Sequence, residues 1–284
     1  MQFWCSAQGI AWSWTWRPYV GVWLLVALLA WGYWRLVKHA RTGVRGPLSP
    51  TDRWRVAAAS TAILLLWIAL GWPVGTLGGG YLASVHMVQF LLIAMVAPPL
   101  LQTALPAATL QRIERRPVIM RVLTLVTNPI IGLIAFNAML ATTHMPVVVD
   151  TLMRSQLGSF VIDLAWFGVG FVFWWPIICP VPARPRFNAL GKIGYLVFGT
   201  LAHVYVAMYL LLVPFPVYSI YELAPRVANF SASADQQIAG GIMLIGGGLF
   251  MFAAMTVLFF RWGREVEAAD ARQGEGSVAH AALR

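Results

Sequence analysis

Seven long apolar stretches restrict the fold of this chain more than any other feature of its sequence. Each has the roughly 20 residues that an α-helix needs to cross the hydrocarbon core of a bilayer. The chain is 60% hydrophobic and 11% charged, whereas a soluble domain carries about 25% charged residues. The surplus apolar surface must therefore face lipid. We predict an all-α, polytopic membrane protein of seven transmembrane helices, at about residues 18–37, 55–73, 81–105, 118–141, 157–178, 190–213 and 237–260.

The positions of the basic residues predict the orientation of these helices. Of the 20 Lys and Arg residues, only Arg17, Arg154 and Arg226 fall on the side of the membrane that holds the N-terminus. The others lie in the alternate connections and in the C-terminal tail, and such connections are cytoplasmic by the positive-inside rule. The sequence thus predicts an N-terminus outside the cytoplasm and a cytoplasmic C-terminus. Charge clustered in short connections indicates anionic lipid headgroups rather than nucleic acid as its partner.

Two flanking segments complete the predicted organisation. Residues 1–17 hold four tryptophans, and such amphipathic rings favour the headgroup zone, so we expect an interfacial segment on the outer side. Residues 18–262 form the predicted seven-helix transmembrane domain. Residues 263–284 are polar and rich in small side chains, which predicts a disordered cytoplasmic tail.

Prolines and glycines predict distortions and close contacts within the helices. Asn128-Pro129 lies inside the fourth stretch and predicts a kink. Ala97-Pro98-Pro99 lies toward the inner end of the third stretch and predicts a break or bend. Gly240 and Gly247 are seven residues apart on one face of the last helix, where a neighbouring helix could approach closely.

Three histidines in the outer halves of the predicted helices form a candidate metal site. Ionisable groups inside a membrane are costly, so each is a candidate functional residue. His86, His144 and His203 are the candidate ligands, with Met145 or Met208 as soft partners. Copper is the candidate metal, because imidazole and thioether groups suit it.

Four further polar residues would orient these ligands without binding the metal. Gln89, Asp163, Asp235 and Gln236 lie in the same outer halves, and carboxylate or amide acceptors commonly fix the rings of ligating histidines. Met87 is not expected to share an ion with His86, since adjacent residues on a helix point about 100° apart.

The same side chains have simpler interpretations that the sequence leaves open. Buried His, Gln and Asp can hydrogen-bond across helices, and methionine is an ordinary core residue. Proton transfer, or haem held between two histidines, is a further alternative. The sequence has no Walker loop, no GxSxG and no paired zinc ligands, so we expect no enzymatic activity and no cofactor other than copper.

Two runs of residues resemble the signatures of a known family. The run HMVQF at 86–90, followed by APPL at 97–100, and the run DQQIAGGIM at 235–243 are similar to those of CtaG, the caa3-type cytochrome c oxidase assembly factor family. His144 and His203 also lie where the family pattern has them. In that pattern a histidine commonly follows the glutamine of the first run, whereas Phe90 stands here.

This resemblance implies a multi-pass plasma-membrane protein that assembles a haem–copper cytochrome c oxidase. The implied partners are oxidase subunits, membrane lipid and other copper chaperones, and copper would be handled at the outward-facing His, Met and Asp cluster. A copper transporter or copper-resistance-type membrane protein is the alternative. A metal-free scaffold for oxidase subunits is a third hypothesis.

Overall fold

The fold is helical and contains membrane-spanning helices, as the sequence predicts. The computed structural model describes residues 2–42, 48–178, 181, 188–227, 229 and 231–281, with side chains up to Ala268, and no β-strand element occurs among them. Within these residues, six helices are long and apolar enough to cross a bilayer: Val20–Ala40, Pro50–Leu70, Ala83–Thr103, Gln156–Ile178, Ala189–Leu212 and Ala232–Ala268. The last of these helices continues to Ala281.

A bent helix pair supplies the remaining span. Pro117–Val126 and Pro129–Thr143 meet at an angle of 51° and together have the length and composition of one span. The bend lies at the predicted kink, because the first helix ends at Val126 and Asn128 caps the second by accepting a hydrogen bond from the Ile130 N–H at 2.9 Å. Counting this pair as one, we number the spans first to seventh in chain order. Which side of the bundle faces the cytoplasm stays a prediction.

Within the described residues, four short helices connect the spans. Val74–Gly80, Pro146–Leu152 and Ser219–Glu222 lie on the side of the bundle where the first span begins, which we call the amino-terminal side. Ala107–Glu114 lies on the opposite side, between the third and fourth spans.

Two spans contain a wider, π-helical turn. In the third span the turn covers Leu91–Val96, and the Ala97 N–H donates to the Leu92 carbonyl five residues earlier. Pro98 and Pro99 follow directly and have no N–H group to donate. The helix nevertheless continues through both prolines to Thr103. The seventh span has its π-helical turn at Met243–Gly247.

Residues 2–19 pack over the amino-terminal side and reach into the bundle. Gln156 accepts hydrogen bonds from the backbone N–H groups of Phe3 and Trp4 at 2.7 and 3.3 Å. The Trp4 indole is 1% exposed and donates to the Asp163 carboxylate at 2.7 Å. Trp14 and Trp16 are instead 69% and 60% exposed. One end of the segment is therefore fixed inside the bundle, while its later tryptophans lie on the surface.

Glycines of the seventh span allow the sixth span to approach closely, as predicted. A Cβ atom on Gly240 would lie 2.8 Å from the Ala207 carbonyl oxygen, and one on Gly247 would overlap the His203 ring. Nothing lies within 4 Å of such an atom on Gly241 or Gly248. The close face is thus the face that carries Gly240 and Gly247.

The helix of the seventh span continues into the predicted tail. The seventh helix extends through Ala281, into the stretch 263–284 for which disorder is predicted. That stretch contains Ala, Glu and Arg residues, which have high helix propensity. The division into an interfacial segment, a transmembrane domain and a disordered tail stays a prediction, and residues 282–284 lie outside the described residues.

Candidate functional site

A small cavity on the amino-terminal side brings two of the three candidate histidines together. We call it the histidine cavity; its lining includes His86, Met87, Thr143, His144, Tyr218 and Tyr221. Its free space of about 10 Å³ is comparable with the room that one water molecule needs. The cavity can therefore hold one water or one metal ion, and it has no room for a haem.

His144 presents a free ring nitrogen at this cavity. It directly follows the bent fourth span, and its Nδ1 lies 2.8 Å from the Leu140 carbonyl oxygen. A carbonyl only accepts, so Nδ1 carries the hydrogen and Nε2 keeps a lone pair. Among the described residues this buried Nε2 has no hydrogen-bond partner. A histidine that donates one N–H to a carbonyl and keeps the other nitrogen free is typical of a metal ligand.

His86 and Met87 enter the cavity from the first turns of the third span. Asp235 fixes the start of this helix across the bundle, because its carboxylate accepts the backbone N–H groups of Ala83 and Ser84 at 2.6 and 3.3 Å and also the Ser84 hydroxyl. A carboxylate at a helix N-terminus satisfies N–H groups that have no partner within the helix. Asp235 thereby positions both cavity side chains.

Phe90 separates His203 from the histidine cavity. Its ring centroid lies 6.2 Å from that of His144 and 6.1 Å from that of His203, and the His203 ring stacks on it. His203 Nε2 lies 2.6 Å from the Met243 carbonyl oxygen, at the start of the π-helical turn of the seventh span. His203 is buried but does not line the cavity.

The segment 213–222 covers the cavity and is held in place by hydrogen bonds to several neighbouring elements. Gln236 accepts the Val217 N–H at 2.7 Å and donates to the Phe215 carbonyl at 3.1 Å. Tyr218 donates to the His144 carbonyl at 3.0 Å, and Tyr221 donates to the Gly78 carbonyl at 2.8 Å. Burial raises the pKa of both tyrosines far above the usual value, so both hydroxyls stay protonated and act as donors.

Gln236 also lines the cavity, but the structure does not bring the remaining predicted residues to it. Met145 and Met208 are 50% and 37% exposed and do not line it. Gln89 donates to the Ala69 carbonyl at 2.8 Å. Asp163 bonds with Trp4 in a separate apolar crevice beside the first span. Arg154 donates to the Ser219 hydroxyl at 3.2 Å.

The donor set of the cavity is small. Within the part of the chain that the structure describes, no three His, Cys, Asp or Glu side chains lie close enough to share a metal ion. What the cavity offers is two imidazoles and the thioether of Met87, a soft set that suits monovalent copper.

A family model provides independent information about this chain. The model of the cytochrome c oxidase caa3 assembly factor matches residues 27–265, which includes all three candidate histidines. The chain belongs to this family. Its members are cytochrome c oxidase assembly factors, so the assembly factor resemblance seen in the sequence is confirmed.

Two curated relatives of this chain come from mycobacteria and are themselves described as uncharacterized. One is from Mycobacterium bovis and one from Mycobacterium tuberculosis, and each is 25% identical over 203 residues. The alignment covers 66% of this chain and 31% of the relative, so the chain spans about a third of the length of these proteins. No solved structure matches the chain.

Among the residues that line the cavity, sequence reasoning missed Met87, Tyr218 and Tyr221. Met87 was set aside because it points away from His86 on an ideal helix, yet both line the cavity. Tyr218 and Tyr221 lie in the connection before the seventh span, outside every apolar stretch. The dipeptide His-Met occurs twice, at 86–87 and 144–145, and this repetition was a signal that pointed to Met87. Nothing in the local sequence marks the two tyrosines.

Proposed function

We propose that this protein is a non-enzymatic assembly factor that handles copper for a haem–copper cytochrome c oxidase in the plasma membrane. Membership of the assembly factor family supports the oxidase as partner. The observation that carries the copper part is the free Nε2 of His144 at a cavity that His86 and Met87 also line. Copper is cargo here, passed from a copper chaperone to an oxidase subunit.

The residues of the histidine cavity fit one copper(I) ion. His86, His144 and Met87 would hold it, since imidazole and thioether ligands suit this ion. Transfer then needs only the exchange of one ligand for another, so no catalytic base or nucleophile is required. The positive-inside pattern predicts that the cavity lies on the outer side, where an oxidase subunit would receive the metal.

The described residues below the cavity do not continue it across the membrane. Phe90 packs between His144 and His203, and the third span continues with the apolar run Leu91–Val96. A transporter needs polar groups along a path to the other side. Delivery on one side of the membrane therefore accounts for the cavity better than transport does.

The test is a deletion strain that is complemented with variants. We expect deletion to lower the copper content and the activity of the oxidase, and the variant H86A/M87L/H144A to restore neither. The matched control M145L/M208L removes two exposed thioethers and should restore both. Fully metallated, active oxidase in the deletion strain would refute the assembly role. Restoration by the cavity variant would instead support a metal-free scaffold and refute the copper part.

A further inference from the structure

A cationic face lies at the inner end of the first span, far from the histidine cavity. The Arg35 guanidinium lies 5.5 Å from the centre of the Trp31 ring, and the Lys38 ammonium lies 5.0 Å from that of Trp34. Both tryptophans are more than half exposed, at 56% and 53%. Tryptophan marks the headgroup level of a bilayer, so the two cations lie at the depth of lipid phosphates.

A third cation reaches this face from a different element. Arg112 lies on the short helix Ala107–Glu114, and its guanidinium donates to the His39 carbonyl at 3.2 Å. Leu110 is 7% exposed and packs against Trp175 of the fifth span, and the same helix also contacts the first span. The three cations are therefore held by packed helices rather than by a loop.

These cations lack acidic partners. In the part of the chain that the structure describes, neither Arg35, Lys38 nor Arg112 forms an ion pair with a carboxylate. An Arg–phosphate pair forms charge-assisted hydrogen bonds, and ammonium is a point-charge phosphate ligand. The face thus presents hydrogen-bond donors and unpaired positive charge at the depth of the lipid phosphates, as the binding of a phosphate group requires.

We propose that Arg35, Lys38 and Arg112 form a binding site for the headgroup of an anionic phospholipid. The phosphate lies between the first span and the helix Ala107–Glu114, and the acyl chains lie along the exposed tryptophans. A bound headgroup would link the two helices through their cations. The site is independent of the histidine cavity and of the proposed copper role.

Native mass spectrometry of the detergent-purified protein tests this site. The probes are phosphatidylglycerol and phosphatidylcholine of the same chain length. A basic residue near an anionic membrane surface contributes about fivefold to binding, so the variant R35Q/K38Q/R112Q should lose about a hundredfold in phosphatidylglycerol affinity. Binding of phosphatidylcholine should not change.

The matched control R121Q/R261Q/R264Q also removes three positive charges, but elsewhere in the chain. We expect it to change the phosphatidylglycerol affinity less than about fivefold. An equal loss in both triple variants would show a diffuse charge effect and overturn the site, as would no loss in the first. Copper bound per protein should be unchanged in R35Q/K38Q/R112Q, so failure of this proposal and failure of the copper role are distinguishable.

Discussion

The residue at position 90 determines how many imidazole ligands are available near the histidine cavity. Two imidazoles that share an ion have ring centres about 6 Å apart, because each nitrogen lies about 2 Å from the metal. The Phe90 ring centre lies 6.2 Å from that of His144, which is the distance that a ligating ring would have. An aromatic ring that cannot bind metal thus lies beside His144, at a spacing near that of two ligating rings.

We predict that F90H tightens copper(I) binding. Loss of even an outer partner of a metal ligand costs about 10–100-fold in affinity, so gaining a ligand should raise affinity by about tenfold or more. Competition with a copper(I) chelator measures this. F90L is the control, because it removes the ring without adding a donor. Equal affinity in wild type and F90H would contradict the site geometry.

The His203 side chain has a structural role, which substitutions at this position can test. Its Nε2 hydrogen bond to the Met243 carbonyl is buried, and leaving such a carbonyl unpaired costs about 1–3 kcal/mol. We predict that H203A lowers the melting temperature in detergent, while its copper(I) stoichiometry stays that of wild type. H203Q keeps a donor and should lose less stability. Loss of bound copper in H203A would show that His203 is a ligand after all.

At the scale of helices, the two π-helical turns lie on either side of His203. Phe90, which stacks on the ring, immediately precedes the turn Leu91–Val96, and Met243 begins the other turn. A π-helical turn shifts the register of all later residues by part of a turn. Composition does not encode such a shift, so the facing of residues that follow the turns, such as the buried Gln102, could not be read from ideal helical spacing.

Adjacent glycine pairs of the seventh span provide a matched test of helix packing. We predict that G247A and G240A each destabilise the protein by about 1–3 kcal/mol, because the added methyl meets His203 or the backbone of the sixth span. G248A and G241A should be neutral or slightly stabilising, since their added methyls meet nothing. Thermal unfolding in one detergent compares all four. Similar losses in both members of a pair would contradict this packing.

Over the whole molecule, the sequence predicted the features that follow from the thickness of the bilayer and from the backbone chemistry of proline. The spans and the bend at Asn128-Pro129 appear where the apolar runs and that dipeptide place them. Contacts between distant segments could not be predicted. The Trp4–Asp163 bond joins residues 159 positions apart, and Met145 and Met87 differ in exposure although both follow a histidine.

The N-terminal segment is expected to stabilise the whole bundle through Trp4. W4F removes the only hydrogen bond that the described residues give Asp163 and should cost about 1–3 kcal/mol. W16F is the matched control, because that ring is 60% exposed. Thermal unfolding measures both. If W4F and W16F melt at the temperature of wild type, the segment does not stabilise the bundle.

X-ray absorption spectroscopy of the copper(I)-loaded protein tests the central claim most directly. Ligation by His86, His144 and Met87 predicts two nitrogen neighbours at about 2.0 Å and one sulfur neighbour at about 2.3 Å from the metal. The sulfur shell should disappear in M87L and persist in M145L/M208L. A spectrum without sulfur in the wild type, or with sulfur retained in M87L, would contradict copper binding at the histidine cavity.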